Sequence, residues 1–190
     1  MISMEKFEIH MHSTFSDGEF TPTKLVDIAK TNGVSTLCLT DHDTFGGIQE
    51  FITAAEAEEI FAFPGIEITV RYRGFNLHLL AYFESANSLS DELSHEVMNM
   101  ASKREQRMRE LINRLNEVVP EKFRGTIEYE NVRRAAEGVL ARPHLAKEMV
   151  RLGIVSTTHE AFGRYLVEYN VERKNLEMKN ACRLIRECKG

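Results

Sequence analysis

The first 84 residues alternate strand-like and helix-like segments, and this alternation restricts the possible folds more than any other feature. Residues 6–12 alternate apolar and polar side chains with a period of two, which is typical of a strand. Helical patterns begin at Thr21-Pro22 and after Gly46-Gly47, and the apolar run 34–39 between them predicts a buried strand. Because strands separated by helices form βαβ units, we expect an α/β fold with a mainly parallel sheet or barrel.

Three further strand-like segments follow, at residues 60–63, 66–72 and 75–83. Pro64-Gly65 is expected to separate the first two, and Arg73-Gly74 to form a hairpin turn between the last two. The pattern then becomes helical, since Ser88 to Asp91 resembles a capping box that opens a long helix ended by Pro120. Further helices are predicted at residues 130–137, 143–152, 160–166 and 176–188.

The change of pattern after Glu84 divides the chain into three predicted parts. Residues 1–84 form the N-terminal part of an α/β core, residues 85–170 a helical insertion, and residues 171–190 a return to the core. A helix at the end of the chain would normally lead to another strand, and a stop there leaves a sheet edge unpaired. We therefore expect a core that lacks its C-terminal strands.

Composition excludes several classes of protein. The chain is 43% hydrophobic and 28% charged, as in soluble globular proteins. It has no apolar run of the roughly 20 residues that span a membrane and no secretory signal. Three cysteines without a C-x-x-C pattern favour reduced thiols and a cytoplasmic location. A net charge of −5 favours a small substrate, or a strand held at its end, over an extended nucleic-acid duplex.

Histidines and acidic residues gather where the predicted strands end. His10 and His12 are two residues apart on a strand, so both imidazoles leave the same face, about 6–7 Å apart, and suit one metal ion. Asp17 follows in a turn that could fold its carboxylate back over the strand end. Asp41 and His42 stand at the C-terminal end of the second strand, where α/β folds place their sites.

Glu67, His78 and His144 extend this set of candidate ligands. Burying five imidazoles with two carboxylates would cost much free energy without cations to satisfy them. Mixed histidine and carboxylate ligands suit Mn, Fe or Zn ions rather than Ca or Mg. Because the ligands outnumber what one ion uses, the sequence predicts two or three divalent ions with Glu67 as a bridge.

Several short motifs occur in the order found in the PHP (polymerase and histidinol phosphatase) family. They are His10-Met11-His12-Ser13, Ser16-Asp17-Gly18, Thr40-Asp41-His42-Asp43, Pro64-Gly65-Ile66-Glu67, and residues 77–82 and 141–146. The helical insertion resembles one branch of the family in residues 103–108 and 160–166. That branch comprises nucleoside bisphosphate phosphatases, AMP-releasing phosphodiesterases and related 5′–3′ exoribonucleases.

The resemblance implies a distorted (β/α)7-type barrel around a trinuclear metal centre. His10 and His12 would bind a first ion, Asp17 and His42 a second, and His78 and His144 a third. Glu67 would bridge the ions, and Asp41 would orient a ligand by hydrogen bonding. The implied enzyme is a metal-dependent phosphoesterase. A metal-bound hydroxide would attack the phosphorus of a small nucleotide or a 5′ RNA end, without a separate protein nucleophile.

Three arginines are candidates for binding the substrate phosphate. At about 100° per residue, Arg104 falls within the apolar stripe of the long helix and Arg107 at its edge. Such arginines either pair with a core carboxylate, extend to the rim, or direct a planar guanidinium at a phosphate. Arg142 stands beside His144 at a predicted helix N-terminus, which also favours anions.

Two alternative functions remain open at this point. A metal amidohydrolase also begins with H-x-H on a barrel strand, although the Thr-Asp-His-Asp motif and the missing lysine ligand favour a phosphoesterase. The other alternative is a non-catalytic or weakly active metal-binding module. It rests on the family's fourth motif, an Asp and a His near the C-terminus, since the sequence after His144 has no Asp. Nothing in the sequence specifies an oligomeric state.

Overall fold

The chain folds into two compact units, each with its own buried apolar core. The computed structural model describes residues 5–136, 138–172 and 175–188. The first unit comprises Met1–Ala101 with Asn175–Gly190, and the second Ser102–Lys174. The first unit contains the sheet, which confirms the predicted α/β class, and the second is helical.

A five-stranded sheet forms the centre of the first unit. Its strands are β1 (Phe7–Met11), β2 (Thr36–Leu39), β3 (Phe61–Tyr72), β4 (Phe75–Tyr82) and β5 (Leu176–Glu177). The first three strands are parallel neighbours, as predicted for βαβ units, and β4 pairs antiparallel with β3. The short β5 pairs parallel with β3 near its end. The carboxyl ends of β1 and β2 therefore point to the same end of the sheet as the middle of β3.

Two helices connect the parallel strands, α1 (Pro22–Thr31) and α2 (Ile48–Ala57). Helix α1 begins where the sequence predicts, because the Thr21 side chain accepts a hydrogen bond from the Lys24 backbone N–H and Pro22 occupies the first turn. Both helices bury one apolar face against β2, including the fully buried Phe51. The opposite face of the sheet carries the candidate metal ligands.

The predicted break at Pro64-Gly65 is wrong, because β3 runs without interruption through both residues. The Pro64 carbonyl accepts a hydrogen bond from the Phe83 N–H, beyond the last residue of β4. The N–H that proline lacks would point to the same side, toward Phe83, so the missing bond falls just beyond the end of the β3–β4 ladder. Gly65 provides room for β2, since a Cβ at this position would lie 2.5 Å from Cys38 Sγ.

The predicted hairpin turn at Arg73-Gly74 is confirmed. Tyr72 and Phe75 are paired, and the two residues between them have φ values of 48° and 87°. Positive φ at both central positions is typical of a tight two-residue hairpin turn.

Helix α3 (Asp91–Val118) belongs to both units. Its first turns bury Leu93, Val97 and Met100 in the core of the first unit, and the two compact units divide after Ala101. The predicted division into residues 1–84, 85–170 and 171–190 stays a prediction. No helix in the described ranges is long and apolar enough to cross a membrane.

The second unit continues with α4 (Tyr129–Arg134), α5 (Arg142–Arg151) and α6 (Thr158–Ala161), the last extended by a π-helical turn at Phe162–Leu166. Predicted helices are confirmed in all three places, although Glu137, the expected end of one of them, lies outside the described residues. The chain returns to the first unit in α7 (Met178–Glu187). Leu176 and Glu177 were expected to be helical, but they form β5, because their backbone pairs with Val70 and Arg71 of β3.

Candidate metal centre

A β-bulge in β1 brings the first two candidate ligands to the correct face of the sheet. Glu8 pairs with Leu37, but the next pair joins Met11 to Leu39, so β1 contains one extra residue. The bulge reverses the alternation of side chains along the strand. Without it, His10 would share the face of Leu37 and Leu39, which is covered by the helices. With it, His10 and His12 face the site.

Glu67 of β3 is the centre of the cluster, with four imidazoles around its buried carboxylate. The Nε2 atoms of His10 and His12 lie 2.8 and 3.2 Å from Oε2 of Glu67. Nδ1 of His42 lies 3.9 Å from the same oxygen. Nδ1 of His78 lies 2.7 Å from the other oxygen, Oε1. The two carboxylate oxygens therefore face different histidines, which is the arrangement a bridging ligand requires.

Asp17 closes the other side of the cluster. Its Oδ1 lies 3.6 Å from Nδ1 of His12, and its Oδ2 lies 3.7 Å from Nε2 of His42. In the described part of the chain, three overlapping groups thus have ligand atoms within 4.8 Å of one another: His10, His12 and Glu67; His12, Asp17 and His42; and His42, Glu67 and His78.

The close spacing of the histidine rings favours bound metal ions over contacts between protonated imidazoles. The ring centroids of His10 and His12, His12 and His42, and His42 and His78 are 5.1, 4.6 and 4.7 Å apart. Protonated rings at these separations would repel one another. His12 Nδ1 is also buried and has no hydrogen-bond partner among the residues that the structure describes, and a metal ion would satisfy it.

The site favours the protonation states that bind metal. Burial lowers the pKa of His42, although the charges of Glu67 and Asp17 act in the opposite direction. Burial raises the pKa of Glu67, but the hydrogen bond from His10 and the charges of nearby histidines outweigh it and lower this pKa. A neutral imidazole and an ionised carboxylate are the forms that ligate metals.

The two aspartates beside His42 have structural partners rather than a place among the ligand groups. Asp41 is buried and accepts hydrogen bonds from the backbone N–H of Ser13 (2.7 Å), its hydroxyl (2.6 Å) and the Ser16 hydroxyl. It thereby holds the loop that carries Asp17, and its predicted role in orienting a ligand stays a prediction. The sequence prediction assigned no role to Asp43, although its position next to His42 was visible.

His144 and Arg142 lie at the start of α5 in the second unit. His144 Nδ1 accepts a hydrogen bond from the Ala141 N–H at 3.1 Å. An Nη1 of Arg142 donates to the Leu166 carbonyl at 3.2 Å. The predicted roles of His144 as a metal ligand and of Arg142 as a phosphate ligand stay predictions.

Arg104 and Arg107 lie on the part of α3 that belongs to the second unit, and both are half-buried. The Nε of Arg107 donates to the Val171 carbonyl at 2.6 Å, and its guanidinium also donates to the Asn170 side chain. These bonds hold the guanidinium of Arg107 in a defined orientation. Phosphate binding by Arg104 and Arg107 stays a prediction.

Comparison with known proteins identifies a matching family and several similar proteins. A model of the PHP domain matches residues 8–181. A 5′-3′ exoribonuclease of Haemophilus influenzae is 32% identical over 163 residues, covering 85% of this chain and 57% of the relative. A 3′,5′-nucleoside bisphosphate phosphatase of Chromobacterium violaceum is 27% identical over 165 residues, covering 86% of this chain and 55% of the relative.

The fold has solved counterparts. A structure assigned as a metal-dependent phosphoesterase, from Bifidobacterium adolescentis, superposes with a TM-score of 0.79 at 25% sequence identity, covering 97% of this chain and 64% of that one. The chain spans about half the length of the curated relatives it matches. Because the family model matches residues 8–181, most of its length, this chain belongs to the PHP domain family.

Proposed function

We propose that the chain is a metal-dependent phosphoesterase domain that hydrolyses phosphate esters of small nucleotides or of 5′ RNA ends. The observation that carries this proposal is the position of Glu67, with four imidazoles at its two carboxylate oxygens. The names of the relatives support nucleotides and RNA as the substrate class.

Two or three divalent ions fit the three ligand groups, and Mn, Fe or Zn suit their chemistry. When bound, such ions lower the pKa of a water that attacks phosphorus and stabilise charge on the leaving oxygen. The protein places Nε2 of His10 2.8 Å from Oε2 of Glu67, so both atoms are positioned to hold the same ion. It also keeps Asp17 over His12 and His42 through the loop that Asp41 holds.

Removal and return of metal tests the proposed reaction directly. We expect the chelated protein to release no phosphate from a nucleoside 3′,5′-bisphosphate, and added Mn²⁺ to restore release. His42 belongs to two ligand groups, so His42→Ala should reduce the Mn²⁺-dependent rate more than about a hundredfold. Malachite green detection of phosphate measures this rate.

His159→Ala is the matched control, because His159 is an exposed histidine of the second unit. It should keep the parent rate. Undiminished phosphate release by His42→Ala would contradict the assignment. Ammonia release from amides would favour the amidohydrolase, and Mn²⁺ binding without release of phosphate from nucleotides or 5′-phosphorylated RNA would favour the non-catalytic module.

We also propose that Arg104, Arg107 and Arg142 bind the substrate phosphate and that His144 ligates an ion. Arg104→Leu removes a charge-assisted hydrogen bond worth about 1.5–3 kcal/mol, so KM for the bisphosphate should rise about tenfold or more with a smaller change in kcat. Arg109→Leu, an exposed arginine of the same helix stacked on Tyr129, should keep the parent KM. An unchanged KM in Arg104→Leu would show that its guanidinium does not contact the phosphate.

A further inference from the structure

Asp43 lies directly after a candidate ligand and has an unusual backbone. Its φ of 51° places it in the left-handed region, which Asp and Asn tolerate better than most residues. Its side chain is among the buried carboxylates, with 1% of the residue exposed. Burial of a carboxylate and a left-handed backbone both cost free energy, which hydrogen bonds to the carboxylate can offset.

The backbone around Asp43 forms a short parallel ladder with β3. The Glu67 N–H donates to the Asp41 carbonyl at 3.2 Å, and the Asp43 N–H donates to the Glu67 carbonyl at 3.0 Å. His42 and Glu67 are the bridged pair of this ladder. In a regular parallel ladder, the next donor, the Thr69 N–H, would reach the carbonyl of Asp43.

The carboxylate of Asp43 takes the place of that carbonyl. The left-handed conformation turns the chain out of the ladder, and Oδ1 of Asp43 accepts the hydrogen bond from the Thr69 N–H at 2.6 Å. Oδ2 accepts a second bond from the Thr69 hydroxyl at 2.8 Å. The side chain therefore continues the ladder for one more step while the backbone leaves it.

The hydrogen bonds of Asp43 connect all three members of the His42–Glu67–His78 ligand group. Asp43 is the chain neighbour of His42, its N–H binds the Glu67 carbonyl, and its carboxylate holds Thr69, which pairs with His78 across the β3–β4 ladder. Movement of Thr69 relative to Asp43 would change the distances among the three ligands. A ligand group needs its members held within a fraction of an ångström of the productive geometry.

We propose that Asp43 is a positioning residue that sets the geometry of the His42–Glu67–His78 metal site, an inference that rests on the proposed metal centre. It acts by holding β3 through Thr69, not by ligating an ion. Partners of this kind typically contribute a factor of about 10–100 to metal affinity.

Mn²⁺ titration of the chelated chain, followed by the EPR signal of the free ion, tests this role without measuring catalysis. Asp43→Gly removes the carboxylate and accepts the φ of 51°, so it should weaken Mn²⁺ binding about 10–100-fold. Asp43→Asn keeps an acceptor for the Thr69 N–H and also tolerates this φ, so it should restore affinity to within a few-fold of the parent. Thr69→Val, which loses only the hydroxyl bond, should fall between the two.

The outcomes separate the proposals. An Asp43→Gly isotherm that matches the parent, or an Asp43→Asn variant as weak as Asp43→Gly, would overturn positioning by Asp43. If circular dichroism shows that Asp43→Gly is unfolded, the test rests on Thr69→Val. A Mn²⁺-binding isotherm of Thr69→Val that matches the parent would then overturn positioning by Asp43. A parent chain that binds no Mn²⁺ would overturn the metal centre itself, and with it the proposed function.

Discussion

Glu67→Gln is expected to remove metal from the chain and to lower Mn²⁺-dependent phosphate release by more than about a hundredfold. Glutamine keeps the volume of the side chain but replaces one carboxylate oxygen with an NH₂ group, which does not ligate metals, and it removes the negative charge. Glu67 is shared by two of the three ligand groups, so a single substitution disables both. Metal content by mass spectrometry and phosphate release measure the effect together.

Glu148→Gln is a matched control for this substitution. Glu148 is as buried as Glu67, with 5% of each residue exposed, but it lies in the second unit and accepts two hydrogen bonds of 2.6 Å from Arg151. The control should lower the thermal stability and leave the metal content of the parent unchanged. A Glu67→Gln protein with parental metal content and phosphate release would contradict the proposed bridging carboxylate.

Gly18→Ala is expected to disrupt the same centre from the opposite side. A Cβ at Gly18 would lie 2.0 Å from the His12 carbonyl oxygen and 2.4 Å from its carbon, contacts that no side-chain rotation relieves because both atoms are backbone. The loop must move, and it carries Asp17 away from His12 and His42. We expect Mn²⁺ affinity to fall about 10–100-fold while the sheet stays folded.

The control for the glycine substitution is Gly163→Ala, because a Cβ at Gly163 would meet no atom of the described residues within 4 Å apart from its chain neighbours and its own helical backbone. This variant should bind Mn²⁺ as the parent does. Unchanged Mn²⁺ affinity in Gly18→Ala, measured by the same EPR titration, would show that Asp17 does not depend on the close packing of Gly18 against His12.

Most of the first unit could be predicted from local patterns. The strands, the hairpin turn and the start of α1 follow from side-chain periodicity, from a two-residue turn sequence and from an N-cap threonine followed by proline. The two errors have one cause. Pro64-Gly65 predicts a break and Leu176-Glu177 a helix, because local preferences do not report the strands with which these residues pair. The partners are β2 and β4 for Pro64-Gly65, and β3 for Leu176-Glu177.

The sequence by itself determined that His10, His12 and His42 lie close together, since the carboxyl ends of neighbouring parallel strands meet at one end of a sheet. Only the tertiary structure decided how they are arranged. The bulge in β1 sets the face of the sheet on which His10 and His12 lie. Of the two aspartates that flank His42, Asp41 binds the loop at Ser13 and Asp43 binds Thr69 of β3. Strand register and hydrogen bonds between distant segments set these outcomes, and neither is encoded in a local pattern.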